Sequence, residues 1–254
     1  MDRNKSAYKL KDFGPLYVIN LDDQPERWDW MKDQLDYWKI ENYERISAFD
    51  GRNSDLSEIL DGAYPNAVSA PEIGCLTSHL KAIKHWYDTT DAPYGVFMED
   101  DCDFVSVSHW PFSWREVMQR IPYDWDCFQI AVINPRKLVA NIHPRYIDDY
   151  STAAFVVNRR YAEKLMHFHC RGDKFKLDNG VRPRAVADDL IYNAGKTYAM
   201  PLFLYKLELG SSIHEDHVEV FHKNSRIGLD HFWTNQATDL PIDSFFQYDT
   251  HELG

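Results

Sequence analysis

Short apolar runs alternate along this chain with longer segments that have the period of an amphipathic helix. Five runs have the length and β-rich composition of buried strands: PLYVINL (15–21), YGVFM (94–98), CFQIAVI (127–133), AAFVV (153–157) and MPLFLYKL (200–207). Alternation of this kind predicts an α/β fold with a mostly parallel central sheet. Ligands of such sheets bind beyond the carboxyl ends of the strands, so the residues that follow each run are the candidates for a site.

Helix-start signals place the segments between these runs. Ser69 and Glu72 have capping-box spacing, and the apolar residues that follow them recur with the period of a helix. Further predicted helices lie at 22–39, 113–121, 158–168 and 187–195, and Gly195 ends the last of them. With no internal repeat and no linker, residues 1–254 are predicted to form one domain, with a polar N-terminal extension (1–14) and an irregular C-terminal segment (210–254).

Charge and cysteine usage exclude several classes of partner. The 28 basic and 40 acidic residues give a net charge of −12, which disfavours nucleic acid and anionic membrane surfaces. The four cysteines have no CxxC spacing, so neither a zinc site nor a disulfide framework is predicted, and a reducing compartment fits them. The N-terminus has no apolar signal core, and the run Ala199–Tyr205 is too short to span a bilayer. These features predict a cytoplasmic protein without integral membrane contact.

The strand-like run YGVFM leads directly into an acidic cluster, Glu99, Asp100, Asp101 and Asp103. Like charges at this spacing repel one another unless they are solvated, partly protonated or neutralised by a cation. Carboxylates two residues apart, as in Glu99/Asp101 and Asp101/Asp103, suit Mg²⁺ or Mn²⁺. The alternative is a solvated acidic loop in which Asp103 caps a downstream segment.

Common catalytic signatures are absent from the sequence, which has no Walker A loop, G-x-G-x-x-G, G-x-S-x-G or H-E-x-x-H. His214 and His217 have the spacing of metal ligands in a turn and leave a metal phosphoesterase open as an alternative. A second alternative is a catalytically silent module that binds carbohydrate or nucleotide.

Several segments, in order, resemble glycosyltransferase family 25, which contains bacterial lipooligosaccharide and procollagen galactosyltransferases. They are YVINLDDQPERWDWM (17–31), RISAFDG (45–51), EIGCLTSHLKAIKHW (72–86), YGVFMEDD (94–101), STAAFVVNRRYAEKLM (151–166) and, more weakly, VADDLIY (186–192). The resemblance implies the type A glycosyltransferase fold, a Rossmann-like sheet flanked by helices. It also implies a metal-dependent inverting transfer of a hexose, galactose from a UDP donor by family habit, onto a glycan or glycoconjugate acceptor.

The resemblance also implies roles for individual residues. A DxD-like motif of the family holds Mn²⁺ or Mg²⁺, which falls here on Glu99, Asp101 and Asp103, with a late His as a further ligand at His222. The catalytic base falls on Asp188 or its neighbour Asp189, which the sequence does not separate. Contacts with the donor nucleotide fall on Asn20, Leu21, Arg27, Ser78, His79, Asp100 and Lys223, and Ser225 and Arg226 are further tail candidates.

Overall fold

The computed structural model describes residues 8–62, 68–177, 186–209 and 222–247. Its strands in this part of the chain are β1 (Leu16–Asn20), β2 (Tyr43–Ser47), β3 (Tyr94–Glu99), β4 (Cys102–Asp103), β5 (Cys127–Ala131), β6 (His143–Pro144), β7 (Ala154–Asn158), β8 (Cys170–Arg171), β9 (Lys174–Phe175) and β10 (Thr197–Tyr205). The α-helices are α1 (Pro25–Trp38), α2 (Leu56–Ile59), α3 (Ala70–Thr89), α4 (Trp114–Arg120), α5 (Arg159–His169), α6 (Ala187–Asn193) and α7 (Lys223–Asn235).

One sheet of eight strands organises the described residues, in the order β2-β1-β3-β7-β5-β10-β4, with β6 paired to β10. β1 is parallel to β2 and β3, and β5 is parallel to β10. β7 lies antiparallel between β3 and β5, so five strands share one direction. The predicted α/β class is confirmed, with a Rossmann-like sheet whose parallel strands are interrupted by β7. β4 and β6 also run against β10.

Helices cover both faces of the sheet because successive strand residues point to opposite sides. Leu16 and Val18 of β1 face the cluster that buries Met31, Leu35 and Trp38 of α1. Tyr17 and Ile19 face the second cluster, which holds the apolar stripe of α3 and the buried sides of α5 and α6. The sheet therefore presents its carboxyl-end edge between two helical layers.

Local capping signals in the sequence set the helix starts. Ser69 and Glu72 form the predicted capping box of α3, and Asn158 accepts a hydrogen bond from the Tyr161 N–H at the start of α5. In the described part of the chain, no helix has both the length and the apolar character needed to cross a bilayer.

Both predicted peripheral segments differ from the sequence interpretation where the structure describes them. Leu10 and Phe13, in the segment predicted to be a polar extension, are buried in the core, and Phe13 packs against Trp114. The segment predicted to be irregular contains α7, which buries Leu229 and Trp233 beside β10. In both segments a few apolar side chains find partners that lie far away in sequence, and local polarity does not show this.

Candidate functional site

Two parallel neighbours bring the first set of candidates to one edge of the sheet. β1 ends at Asn20 and β3 ends at Glu99, and the register pairs Ile19 with Glu99. Leu21 continues from β1, and the acidic turn Asp100–Asp101 continues from β3. The acidic cluster thus lies at a carboxyl edge, where α/β sheets bind ligands.

Asp100 is the best-bonded carboxylate of the turn. Arg27 donates to Asp100 Oδ1 from Nε at 2.8 Å and from Nη2 at 2.5 Å, and Asn20 Nδ2 donates to Oδ2 at 2.7 Å. Burial nevertheless raises the pKa of Asp100, with the charge of Glu99 adding to it. Asn20 and Arg27 therefore hold the acidic turn in place through their hydrogen bonds to Asp100.

The carboxylate of Asp101 is incompletely hydrogen-bonded. Its Oδ2 lies 3.5 Å from Arg27 Nη2, whereas its Oδ1 is buried and has no hydrogen-bond partner. Burial, and then the charge of Glu99, raise the pKa of Asp101 to about 7. A carboxylate in this state gains from a cation that supplies the missing partner.

Glu99 faces the helix α3 and the segment before β7. Its Oε1 accepts a hydrogen bond from Thr152 Oγ1 at 2.8 Å and lies 3.0 Å from His79 Nε2. Burial acts to raise the pKa of Glu99, but the contacts with His79 and Thr152 outweigh it and lower that pKa. Glu99 is therefore the carboxylate of the cluster that the surrounding residues keep ionised.

The wall opposite the acidic turn is a loop held against α3 by two glycines. A Cβ at Gly51 would lie 1.8 Å from the Ala70 carbonyl oxygen, and one at Gly74 would lie 2.6 Å from both Gly51 N and the Phe49 carbonyl oxygen. Ser78 Oγ accepts from the Phe49 N–H at 2.8 Å and donates to the Gly74 carbonyl at 2.6 Å. Ser78, predicted to contact a donor, thus fixes the loop that forms the wall.

A cleft of about 250 Å³, here called the edge cleft, lies between this wall and the acidic turn. Its lining includes seven of the predicted site residues: Asn20, Leu21, Arg27, Ser78, His79, Glu99 and Asp100. The sequence reasoning missed Asp50, Arg52 and Cys75, which also line it. Asp50 and Arg52 follow β2 in the FDGR stretch, and a search of the strand end at Ser47 would have found them.

Asp188 and Asp189 occupy the first turn of α6, whose apolar side is buried in the same core cluster as α3. Asp188 Oδ1 is buried without a partner, while Asp189 Oδ1 lies 3.4 Å from Asn193 Nδ2. Burial, with the charges of Glu99 and Asp189, raises the pKa of Asp188 to about 6 against the opposing charge of Arg145. The two neighbours thus have different surroundings, and Asp188 is the one that lacks a partner for a buried oxygen.

A strained residue connects Asp188 with Glu99. Ser151 has φ +94°, which is unusual for a residue with a side chain, and its carbonyl accepts from Gln129 Nε2 at 2.9 Å and from Tyr192 Oη at 2.8 Å. Its backbone also bonds to Asp188, and the next residue, Thr152, bonds to Glu99. Such strain persists only where surrounding contacts hold it, and it is common at functional sites.

The tail candidates lie beside the end of β10. Tyr205 Oη donates to the His222 carbonyl at 2.7 Å, and Lys223 begins α7. Asp103 accepts from Arg226 Nη2 at 3.1 Å and from the Val105 N–H at 2.9 Å. Both oxygens of Asp103 thus have protein partners, as in the alternative that gives this residue a capping role. His214 and His217 lie outside the described residues.

Comparisons with known proteins bear on the first half of the chain. Residues 13–110 match the sequence model of glycosyltransferase family 25 (LPS biosynthesis protein), which confirms the resemblance over β1, α1, α3 and the acidic turn. This match supports glycosyltransferase activity. The comparison with curated proteins finds no matching relative. Among solved structures, "Crystal Structure of A197 from STIV" shares 12% identity, covers 74% of this chain and 82% of its own, and has a TM-score of 0.40.

Proposed function

We propose that this chain is a metal-dependent, inverting glycosyltransferase that moves a hexose, galactose from UDP-galactose, onto a hydroxyl of a glycan or glycoconjugate acceptor. The observation that carries the proposal is the edge cleft, in which the acidic turn after β3 faces residues that follow β1. Apart from Leu209, every residue that lines this cleft lies within residues 13–110, the part of the chain that matches the family.

The acidic turn fits a divalent cation. Asp101 has a buried oxygen without a partner, and burial together with the charge of Glu99 makes its ionisation costly. Carboxylate oxygens are the donors that Mn²⁺ and Mg²⁺ prefer, so Glu99 and Asp101 are the proposed ligands. When bound, the cation would neutralise charge that develops on the diphosphate leaving group. Asp103 is left out of this set because Arg226 and the Val105 N–H already donate hydrogen bonds to its two carboxylate oxygens.

Asn20 and Arg27 are proposed as positioning residues for the acidic turn. The sequence resemblance assigned them to the nucleotide, but their side chains are bonded to Asp100, and Arg27 Nη1 also donates to the Leu209 carbonyl at 3.2 Å. Holding Asp100 fixes the backbone between Glu99 and Asp101. The two proposed ligands are therefore oriented before any donor arrives.

Asp188 is proposed as the general base. In a direct displacement, the acceptor oxygen forms a bond to the anomeric carbon while the bond from that carbon to the diphosphate oxygen breaks, and the hydroxyl proton moves to an Asp188 carboxylate oxygen. A pKa of about 6 gives this carboxylate more basicity than an exposed aspartate, while leaving it mostly ionised at neutral pH. Asp189, one residue further along the first turn, has the Asn193 amide as a neighbour.

A donor screen tests the proposal. The purified protein, treated with EDTA, is assayed for UDP release and for thermal stabilisation with a panel of UDP-sugars, with and without added Mn²⁺. UDP-galactose with Mn²⁺ is expected to raise the melting temperature most, since a ligand that binds only the native state stabilises it. If the folded protein shows neither UDP release nor stabilisation with any nucleotide sugar, the proposal is wrong.

A further inference from the structure

Three different metal-binding atoms meet where α3 passes the end of β3. Cys75 and His79 are one helical turn apart on α3, and Glu99 is the last residue of β3. A ligand atom of each residue lies within 4.8 Å of those of the other two. A sulfur, a nitrogen and an oxygen thus come from two elements that are far apart in sequence.

His79 and Glu99 already meet atom to atom inside the fold. The ring is 1% exposed, and its Nε2 lies 3.0 Å from Glu99 Oε1. A cation bound between α3 and β3 would therefore take Nε2 and Oε1 as ligands in place of the hydrogen bond that now joins them.

We propose that Cys75, His79 and Glu99 bind a Zn²⁺ ion. Thiolate, imidazole and carboxylate are the three ligand types of zinc in proteins, whereas Mg²⁺ and Mn²⁺ favour oxygen ligands over a thiolate. Cys75, His79 and Glu99 all line the edge cleft, which gives the ion a path from solvent. On binding, the Cys75 thiol loses its proton to the solvent and a sulfur–zinc bond forms.

The surroundings of the cluster favour a cation. The charges of Glu99, Asp188 and Asp101 all act on the Cys75 thiol, so at least three carboxylates lie within electrostatic reach of the sulfur. Thr152 contributes a hydroxyl to both Cys75 and Glu99. A hydroxyl shared in this way can orient two ligands, as outer partners of metal sites commonly do.

Zinc at this cluster would share Glu99 with the proposed donor cation. One carboxylate serving two cations makes their binding antagonistic, so Zn²⁺ is expected to compete with Mn²⁺ at the edge cleft. The zinc site itself does not rest on the proposed function, because it is measured on the protein without any nucleotide.

Cobalt spectroscopy and a matched pair of cysteine variants test the proposal. Cys170 is the other partly exposed free cysteine, so Cys170→Ser controls for loss of a thiol at a site without the cluster. Co²⁺ added to the metal-free protein is expected to give a sulfur-to-cobalt absorption band that Cys75→Ser removes and Cys170→Ser retains. In competition with a chromophoric chelator, Cys75→Ser is expected to weaken Zn²⁺ binding by about tenfold or more.

The result that would overturn the proposal is the absence of the band in the unmodified protein, or equal Zn²⁺ affinity in the unmodified protein and Cys75→Ser. Circular dichroism of Cys75→Ser checks its fold, and Glu99→Gln provides a second variant that should also weaken Zn²⁺. A protein that shows the cobalt band through Cys75 but releases no UDP upholds the zinc site while refuting the transferase.

Discussion

Replacement of Arg27 by methionine would remove the main counter-charge of Asp100 while keeping much of the side-chain volume. Both side chains are nearly buried, at 11% and 8% exposure, so the carboxylate that remains cannot regain much hydration. Breaking a buried pair in this way costs about 3–5 kcal/mol. Asn20 Nδ2 still bonds to Asp100 in the variant, so we expect the lower end, about 3 kcal/mol.

The pH dependence of this loss has a definite sign. Burial raises the pKa of Asp100, so the native state binds its proton more tightly than the unfolded chain does, and stability falls as the pH rises through the folded pKa. Removing Arg27 raises that pKa further. The loss in Arg27→Met is therefore full above the raised pKa of Asp100 and shrinks as the pH falls through it.

Thermal and urea unfolding, followed by tryptophan fluorescence, measure the effect. A loss of about 3 kcal/mol corresponds to a fall of about 6–12 °C in melting temperature for a chain of this size. Arg52→Met is the matched control, because Arg52 pairs with Asp50 while 42% exposed and should cost less than about 1 kcal/mol. The reasoning is refuted if Arg27→Met costs no more than Arg52→Met, or if adding Asp100→Asn to Arg27→Met restores no stability.

Three further changes test the wall, the turn and the base. Gly74→Ala should lower the free energy of unfolding by about 3 kcal/mol, because the new Cβ would meet backbone atoms of the 49–51 loop. Gly228→Ala in α7 is the control: its Cβ would have no neighbouring atom within 4 Å, so the free energy of unfolding should stay the same or rise by up to about 1 kcal/mol. Similar urea midpoints for the two variants would contradict this. Asp101→Asn should abolish the stabilisation of the protein by UDP with Mn²⁺. It should also raise the melting temperature of the ligand-free protein above pH 7, because the pKa of about 7 means that the ionised form of Asp101 destabilises the fold there. A Mn²⁺-dependent shift in melting temperature that survives in the variant would count against Asp101 as a ligand. Asp188→Asn should lower the rate of transfer about 10²–10⁴-fold, while the affinity for UDP, measured by calorimetry, stays the same. If Asp189→Asn shows this loss of rate and Asp188→Asn does not, Asp189 is the base instead.

Features set by neighbouring residues were predictable from the sequence. The capping boxes Ser69/Glu72 and Ser113/Glu116 both form, because each involves residues three apart. The position of Glu99 and Asp100 at a sheet edge followed from the apolar run before them. The antiparallel direction of β7 was not predictable, because an apolar strand sequence fits either direction in a sheet. The connections before and after the strand decide its direction.

Contacts between distant residues account for what the sequence did not show. Asp103 was grouped with the metal ligands by spacing, but it pairs with Arg226, which follows 123 positions later. Thr152 bonds to Glu99 across 53 positions and has no local signature. Cys75 and His79 have the i, i+4 spacing of a helix, but their shared partner Glu99 comes from a strand, and a search for CxxC pairs passes over such a set.

The acidic turn between β3 and β4 is fastened on every side by backbone atoms. The Glu99 N–H donates to the Ala153 carbonyl, the Asp101 carbonyl accepts from the Lys206 N–H, and the Cys102 carbonyl accepts from Gln34 Nε2. These contacts hold the backbone that carries the carboxylates, and the charges of Glu99 and Asp100 both act on Asp101 in the ligand-free fold. A cation bound as proposed would relieve this repulsion, and the free energy that the repulsion costs the ligand-free protein would then contribute to the affinity for the cation. Under this proposal, folding and cation binding are coupled through the turn, and the stability of the chain would report on the ion concentration.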